Sequence, residues 1–439
     1  MSISPLVKTF PILPLYRAVS ASFAPVSPFV LYFRRKWRRE TSDRAAERYG
    51  RPSLARPQGP IAWLHGASVG ESLSLLPLIE KLAARGFKVL LSTGTTSAAA
   101  VIEPRLPPGA AHQFLPLDVP QFLARFLDHW RPSLALIAES EIRPNLFLET
   151  KRREIPLILV NARISQDSFR RWRWIPFFIE SLLERVDLCL AQSEADAERF
   201  AKLGVRHVKV AGNLKYDVAA PPADRNTLAE LSGRIGARPL WVAASTHDGE
   251  EDIAIAVHRA LAARLPELLT IIVPRRARRG DEIAALAAAR GLPALQRSRE
   301  APGEALPGLY VADTVGEMGL FYRLAPIVFL GRSMLAPGGG RNPIEAAKLG
   351  SAILHGPYVE NFAEIYRALN EAHGAATLAN AELLARAVAL LLTDAGKLRR
   401  MARAASDTVS RLGGASAAIM AAIEPHVAQL MVETRRWEG

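Results

Sequence analysis

At 439 residues the chain exceeds one ordinary core, so two domains are expected. A hydrophobic fraction of 49% with 23% charged residues excludes a disordered chain, and a lone cysteine, Cys189, excludes an internal disulfide or a cysteine-cluster metal site. A net charge of +13 asks for an anionic partner: nucleic acid, a membrane surface or a phosphorylated ligand.

Residues 10–33 are mostly apolar but carry Pro11, Pro14, Arg17, Pro25 and Pro28. Their cleanest run, residues 18–33, has 16 residues, short of the ~20 that a spanning helix needs. A basic block follows at once: Arg34, Arg35, Lys36, Trp37, Arg38, Arg39. Such a block marks a cytoplasmic flank and attracts anionic lipid. No small-residue cleavage site argues for a signal peptide. These features predict an N-terminal membrane anchor over residues 1–45, either one short span or an interfacial segment. The alternative is a buried hairpin.

From residue 61, apolar runs alternate with helical segments. IAWLH (61–65), KVLLS (88–92), LALIA (134–138), PLILV (156–160), DLCLA (187–191) and VKVAG (208–212) are expected strands, with Cys189 a core residue in one of them. The proline-rich residues 216–225 are the expected linker. LWVAAS (240–245), LLTIIVP (268–274), GLYVAD (308–313), PIVFLG (326–331) and SAILHG (351–356) follow, and an alanine-rich helical tail ends in residues 415–436. The pattern predicts an α/β protein with two doubly wound, parallel-sheet domains, residues 46–218 and 219–439, facing a central cleft. In such folds ligands bind beyond the carboxyl ends of the strands.

Polar residues gather at those ends. IAWLH leads through a small-residue turn to Glu71, which either supports the first helical turn or acts as a base. LALIA leads to Glu139, Glu141, Arg143 and Asn145. On an extended chain the two carboxylates share a face, as a functional pair or in a solvated loop. VKVAG leads to Asn213 and Lys215. LLTIIVP ends at Pro274 and runs into Arg275, Arg276, Arg278 and Arg279, one placed for a phosphate and the rest expected in solvent. GLYVAD gives Gly316, Glu317 and Met318, a turn whose amides suit an anion. PIVFLG gives Arg332, glycines 338–340, Arg341, Asn342, Pro343, Ile344 and Glu345, the last suited to sugar hydroxyls. His65 and His247 are expected as hydrogen-bonded scaffold, and Glu250, Glu251 and Asp252 as the start of an acidic helix. Residues 168–178, SFRRWRWIPFF, either meet a membrane surface or acyl chain, or form a helix with buried tryptophans. Nucleotide-binding P-loop, HExxH, EF-hand, GxGxxG and Asp-x-Asp patterns are absent from the sequence.

The ordered series WLHGASVGE, LPLD, ESEIRPN, NARIS, AQSE, GNLKYD, STHDGEE, VPRR, DTVGEM, GRS and GGGRNPIEAA resembles the bacterial 3-deoxy-D-manno-octulosonic acid (Kdo) transferases of lipopolysaccharide assembly. The resemblance implies a GT-B fold with an acceptor-binding domain at 46–218 and a donor-binding domain at 219–439. It implies metal-free, inverting transfer of Kdo from CMP-Kdo to the 6′-hydroxyl of a lipid A precursor, at the cytoplasmic face of the inner membrane, with no cofactor and no nucleic acid. By the same resemblance Glu71 is the base, and Glu141 and Lys215 stabilise the transition state. Pro274, Arg275, Gly316, Glu317, Met318, Asn342, Pro343, Ile344 and Glu345 are the CMP-binding residues. Two places depart from the family's pattern. Arg143 stands where tryptophan is usual, and GGGRNP replaces GGHNP, which makes Arg341 a candidate for the donor's carboxylate or phosphate. The competing expectations are a GT-B enzyme using a nucleotide-diphosphate sugar, and a non-catalytic basic protein on nucleic acid or anionic membrane.

Overall fold

A computed structural model of the protein describes residues 12–36, 43–301 and 303–438. The chain forms two compact units, residues 1–218 with 413–439, and residues 219–412.

Unit 1 is built on seven strands: β1 (Ile61–Gly66), β2 (Lys88–Thr93), β3 (Ala111–Phe114), β4 (Leu134–Ala138), β5 (Leu157–Ala162), β6 (Leu188–Ala191) and β7 (Val208–Val210). They lie in the order β3-β2-β1-β4-β5-β6-β7, all parallel. Every residue of β1, β4, β5 and β6 is buried, which is why these strands read as unbroken apolar runs instead of alternating ones. Cys189 is among them, and burial pushes its thiol well above the usual range, so it is core and no nucleophile. The chain reverses its winding direction between β1 and β4, which opens a crevice at their carboxyl ends.

Unit 2 repeats the plan with β8 (Leu240–Thr246), β9 (Leu269–Pro274), β10 (Ala294–Gln296), β11 (Leu309–Val311), β12 (Ile327–Leu330), β13 (Ala352–His355) and β14 (Ala375–Thr377). The order is β10-β11-β9-β8-β12-β13-β14, again all parallel, with the reversal between β8 and β12. One detail recurs in both sheets. The first strand of each carries a buried tryptophan whose indole N–H reaches a hydroxyl on the neighbouring strand: Trp63 to Ser92 at 2.8 Å and Trp241 to Thr270 at 2.7 Å. The large ring is thus buried without leaving its polar atom unpaired.

Two boundaries differ from the expectation. The helical tail was expected in the second domain, but helix Ala415–Glu438 belongs to unit 1, where Ile419, Met420, Ile423 and Val427 join the core formed by β1, β4 and β5. The Asp217 carboxylate fixes its start by accepting the Gly414 and Ser416 amides at 2.6 and 2.5 Å. The N-terminal apolar run is likewise not one segment. It forms two helices, Ile12–Ser22 and Ser27–Lys36, parted by a turn holding Pro25. Among the described residues no helix is long and apolar enough to cross a membrane. Nor is residues 1–45 a separate domain: the first helix packs on unit 1 through Leu13 and Tyr16. Trp37, Arg38 and Arg39 of the basic block lie outside the described residues.

Because Ile419 is fully buried in unit 1, Ile419→Ala should cost about 2–5 kcal/mol. Urea unfolding followed by Trp63 and Trp241 fluorescence checks this. The unit 1 transition should move to lower urea while that of unit 2 stays in place.

Candidate active site

The carboxyl end of β1 is the first piece. A Cβ on Gly66 would lie 2.8 Å from the Ser72 amide nitrogen, so only glycine lets the turn close onto helix Val69–Ser74. Ser68 caps that helix, its Oγ accepting the Glu71 amide at 3.3 Å. Glu71 reaches back, taking the Ser68 hydroxyl on Oε1 and the Ala67 amide on Oε2, both at 2.8 Å. This is a capping box, so the supporting role is present. The same carboxyl is half-buried. Burial raises its pKa, the bonds from Ser68 and Ala67 oppose that, and the charges of Glu139 and Glu141 reinforce it; the result lies above the ordinary carboxylate value. The side chain that supports the helix start is therefore also a carboxyl with a raised pKa.

Glu139 follows β4 in a left-handed conformation, φ +56°, so the chain turns instead of running on extended. The two acids consequently part company. Glu139 Oε1 accepts Lys215 Nζ at 3.0 Å, while Glu141 Oε1 accepts Arg143 Nε at 2.6 Å. Lys215 sits on a 3-10 turn, Leu214–Tyr216, held by a relay that sequence reasoning missed. Buried Asn161, near the end of β5 with φ +52°, takes the Leu214 amide on Oδ1 at 2.9 Å, and its carbonyl takes Gln192 Nε2 at 3.0 Å. Gln192 Oε1 accepts Asn213 Nδ2 at 3.1 Å, and Asn213 Oδ1 accepts the Lys215 amide at 3.0 Å. The NARIS, AQSE and GNLKYD segments were the available signal, since each relay residue stands at or just after the end of a strand. His65 is scaffold as expected. It is buried, bonded through Nδ1 to Ser92, and held neutral, its pKa lowered to about 3 by burial and by Arg143.

Asp118, of the LPLD segment, fixes the loop that carries Glu141. Its Oδ1 accepts the Leu146 amide at 3.1 Å and its Oδ2 the Asn145 amide at 3.3 Å, capping helix Pro144–Arg152. Tyr16 of the N-terminal helix donates to the same Oδ2 at 3.1 Å, and Asn145 Nδ2 donates to Ser20 Oγ at 2.8 Å. Beside this junction is an apolar groove of about 820 Å³ lined by Ile12, Tyr16, Ile142, Trp172, Trp174 and Phe178, among others. Trp172 is half-buried and stacks on Phe178, but Trp174 is 85% exposed, so the expectation of buried tryptophans holds for only one of the two.

In unit 2 the sequence-chosen residues follow β9, β11 and β12, and His247 follows β8; these four strands are consecutive in the sheet. Pro274 closes β9, and the Arg275 amide donates to Thr246 O at 3.0 Å, leaving its side chain exposed. Arg279 is not in solvent. It pairs with Glu251 and Asp248 at 2.9 Å and with Glu282 at 3.0 Å. After β11, Gly316 takes φ +92° and Glu317 receives Arg297 at 3.0 Å and the Thr314 hydroxyl. Burial would raise the Glu317 pKa, but Arg297 and Thr314 prevail and hold it low. Met318 opens helix Met318–Leu324, which packs on helix Ile344–Lys348. Asn342 Oδ1 accepts the Ile344 amide at 3.1 Å, Pro343 caps the second of these helices, and Glu345 lies in its first turn.

The three-glycine loop is resolved by geometry. Gly339 and Gly340 take φ of +116° and +75°, and the Gly340 amide donates to Arg332 O at 2.8 Å. Arg341 is thereby set against His247, with Nη2 2.8 Å from Nε2. Glu250, expected only as a helix start, is buried and takes the amides of His247, Arg332, Ser333 and Met334 at 2.6–3.0 Å. A cavity of about 550 Å³ lies here, walled by His247, Glu250, Arg275, Arg276, Arg278, Arg279 and Arg332 among others, and Arg341 stands behind the His247 wall.

Comparison with known proteins fits this geometry. A family model described as 3-deoxy-D-manno-octulosonic-acid transferase (kdotransferase) matches residues 43–218. A probable mitochondrial 3-deoxy-D-manno-octulosonic acid transferase of Arabidopsis thaliana is 34% identical, over 91% of this chain and 92% of its own. The 3-deoxy-D-manno-octulosonic acid transferase of Haemophilus influenzae is 32% identical, over 88% of this chain and 91% of its own. A glycosyltransferase structure from Rickettsia africae, only 10% identical, superposes with a TM-score of 0.54 over 85% of this chain and 99% of that one, a likeness of fold alone. The relatives' identity over most of both chains makes this chain a member of the 3-deoxy-D-manno-octulosonic acid transferase family, and its two parallel-sheet units resemble those of GT-B glycosyltransferases.

Proposed function

We propose that the protein moves Kdo from CMP-Kdo to the 6′-hydroxyl of a lipid A precursor, with inversion, and that Glu71 is the base. The observation that carries this is the Glu71 carboxyl: half-buried, raised in pKa, and electrostatically coupled to Glu139 and Glu141, whose partners are Lys215 and Arg143. In the reaction the acceptor oxygen forms a bond to the anomeric carbon as the bond from that carbon to the phosphate oxygen breaks. The hydroxyl proton passes to Glu71 and CMP leaves with the bonding pair. Lys215 and Arg143 offset charge in the transition state, and the basic cavity behind Arg275 receives the phosphate.

The acceptor is a lipid, and exposed apolar side chains support that reading. Leu15, Val19, Phe23 and Phe29 of the N-terminal helices are each about half exposed or more, as are Trp174 and Ile175. We infer that this side of unit 1 rests on the cytoplasmic face of the inner membrane as an interfacial segment, with an acyl chain in the groove beside Ile142.

Glu71→Gln should lower kcat/KM by about 10²–10⁴-fold while CMP binding by calorimetry is kept. Donor protection should follow CMP and not UDP. The base must be deprotonated, and its pKa is raised, so activity should fall as pH drops through a value above the ordinary 4.5 of glutamate. A pH–rate profile of the wild type should show that acid limb; near-normal transfer by Glu71→Gln would sink the assignment. In sedimentation with anionic vesicles, Trp174→Asp should reduce the bound fraction without altering CMP affinity.

A further inference from the structure

The cavity of unit 2 holds more positive charge than one phosphate needs. Its carboxylates are committed: Glu250 to four main-chain amides, and Asp248 and Glu282 to Arg279. Among the described residues no ion pair joins a carboxylate to Arg275, Arg276, Arg278 or Arg332 of the lining, nor to Arg341 beside it. Arg341 is the most constrained of these. It is half-buried, its Nε is buried without a hydrogen-bond partner, and Arg275 and Arg332 lie close enough to act with burial in lowering its pKa to about 10.

His247 sets the direction of that guanidinium. An arginine only donates, so His247 Nε2 is the acceptor in their 2.8 Å contact and the ring proton is on Nδ1. Nδ1–H donates to Ser245 O at 3.1 Å, a carbonyl aimed by the left-handed conformation of Ser245, φ +56°. Burial and the Arg341 charge keep the imidazole neutral. The other side of the loop is fixed by Gly340 on Arg332. The Arg275 and Arg332 charges both act on the Arg341 guanidinium, so the three form one cationic cluster.

We propose that Arg341, with Arg332, binds the carboxylate of the donor's acidic sugar, and that His247 is its positioning residue. The inference rests on the donor assignment above. CMP-Kdo carries two neighbouring anions, a phosphodiester and a carboxylate on the same anomeric carbon, so adjacent guanidiniums can divide them, and guanidinium is the group that grips a planar carboxylate by paired N–H bonds.

The test compares CMP-Kdo with CMP on the full chain. Arg341→Gln should weaken CMP-Kdo by about 10–100-fold and CMP by less than about 3-fold, with KM rising and kcat nearly kept. Arg341→His, assayed at pH 8 where the new imidazole is neutral, should show the same selective loss and serves if the glutamine variant fails to fold. His247→Gln should give a smaller selective loss that adds nothing to Arg341→Gln in the double variant. Equal weakening of CMP and CMP-Kdo, or no weakening of either, would overturn the carboxylate assignment even in an active enzyme. A wild type that binds CMP yet transfers no Kdo would instead overturn the donor reading beneath it.

Discussion

Near the carboxyl ends of four central strands the extended backbone is broken, and the residues at those breaks shape the site around them. At or just beyond the ends of β4, β5, β8 and β12 stands a non-glycine residue with positive φ: Glu139, Asn161, Ser245 and Arg332. Each such conformation costs on the order of 1–3 kcal/mol and persists only where its surroundings impose it. Here they do. Glu139 is held by Lys215, Asn161 by Leu214 and Gln192, and Arg332 by the Glu250 carboxylate. The sharp turn exposes main-chain amides and sets polar side chains on the rim of an otherwise apolar sheet.

That constraint explains why charge is concentrated without being wasted on mutual repulsion. Glu71, Glu139 and Glu141 are close enough to influence one another, yet Glu139 and Glu141 have their own cations and Glu71 has main-chain and hydroxyl donors. The opposite sign rules the other rim, where one buried carboxylate organises the loops and several guanidiniums have no carboxylate partner among the described residues. One unit gathers carboxylates at its strand ends and the other gathers guanidiniums, from the same sheet plan.

The central strands were legible because parallel strands covered on both faces leave long apolar runs. The three that were not, β3, β10 and β14, are all edge strands of three or four residues; AHQF, ALQ and AAT carry no such run. Site positions were legible for a similar reason, since polar residues directly after apolar runs stand out. Their pairing was not. Glu139 turns away from Glu141 because of a backbone conformation that no spacing rule encodes, and Lys215 therefore meets the first acid of the pair. Glu250 looked like the ordinary acidic start of a helix; only burial among four amides reveals its other task. The tail was assigned by sequence neighbourhood, whereas the buried face of helix Ala415–Glu438 fits the core of unit 1.

The return of that helix has a consequence for how the chain is made. Unit 2 is one uninterrupted stretch lying between two parts of unit 1. On the ribosome, unit 2 is synthesised complete while unit 1 still lacks Ile419, Ile423 and Val427 from its apolar interior. The Asp217 carboxylate waits throughout for the Gly414 and Ser416 amides that will engage it. Translation order and folding order are thus inverted: the half begun first is the half finished last. A nascent chain spends the interval with part of that apolar cluster, the part beside Leu78 and Leu82, uncovered, which makes it a natural place for a chaperone to hold.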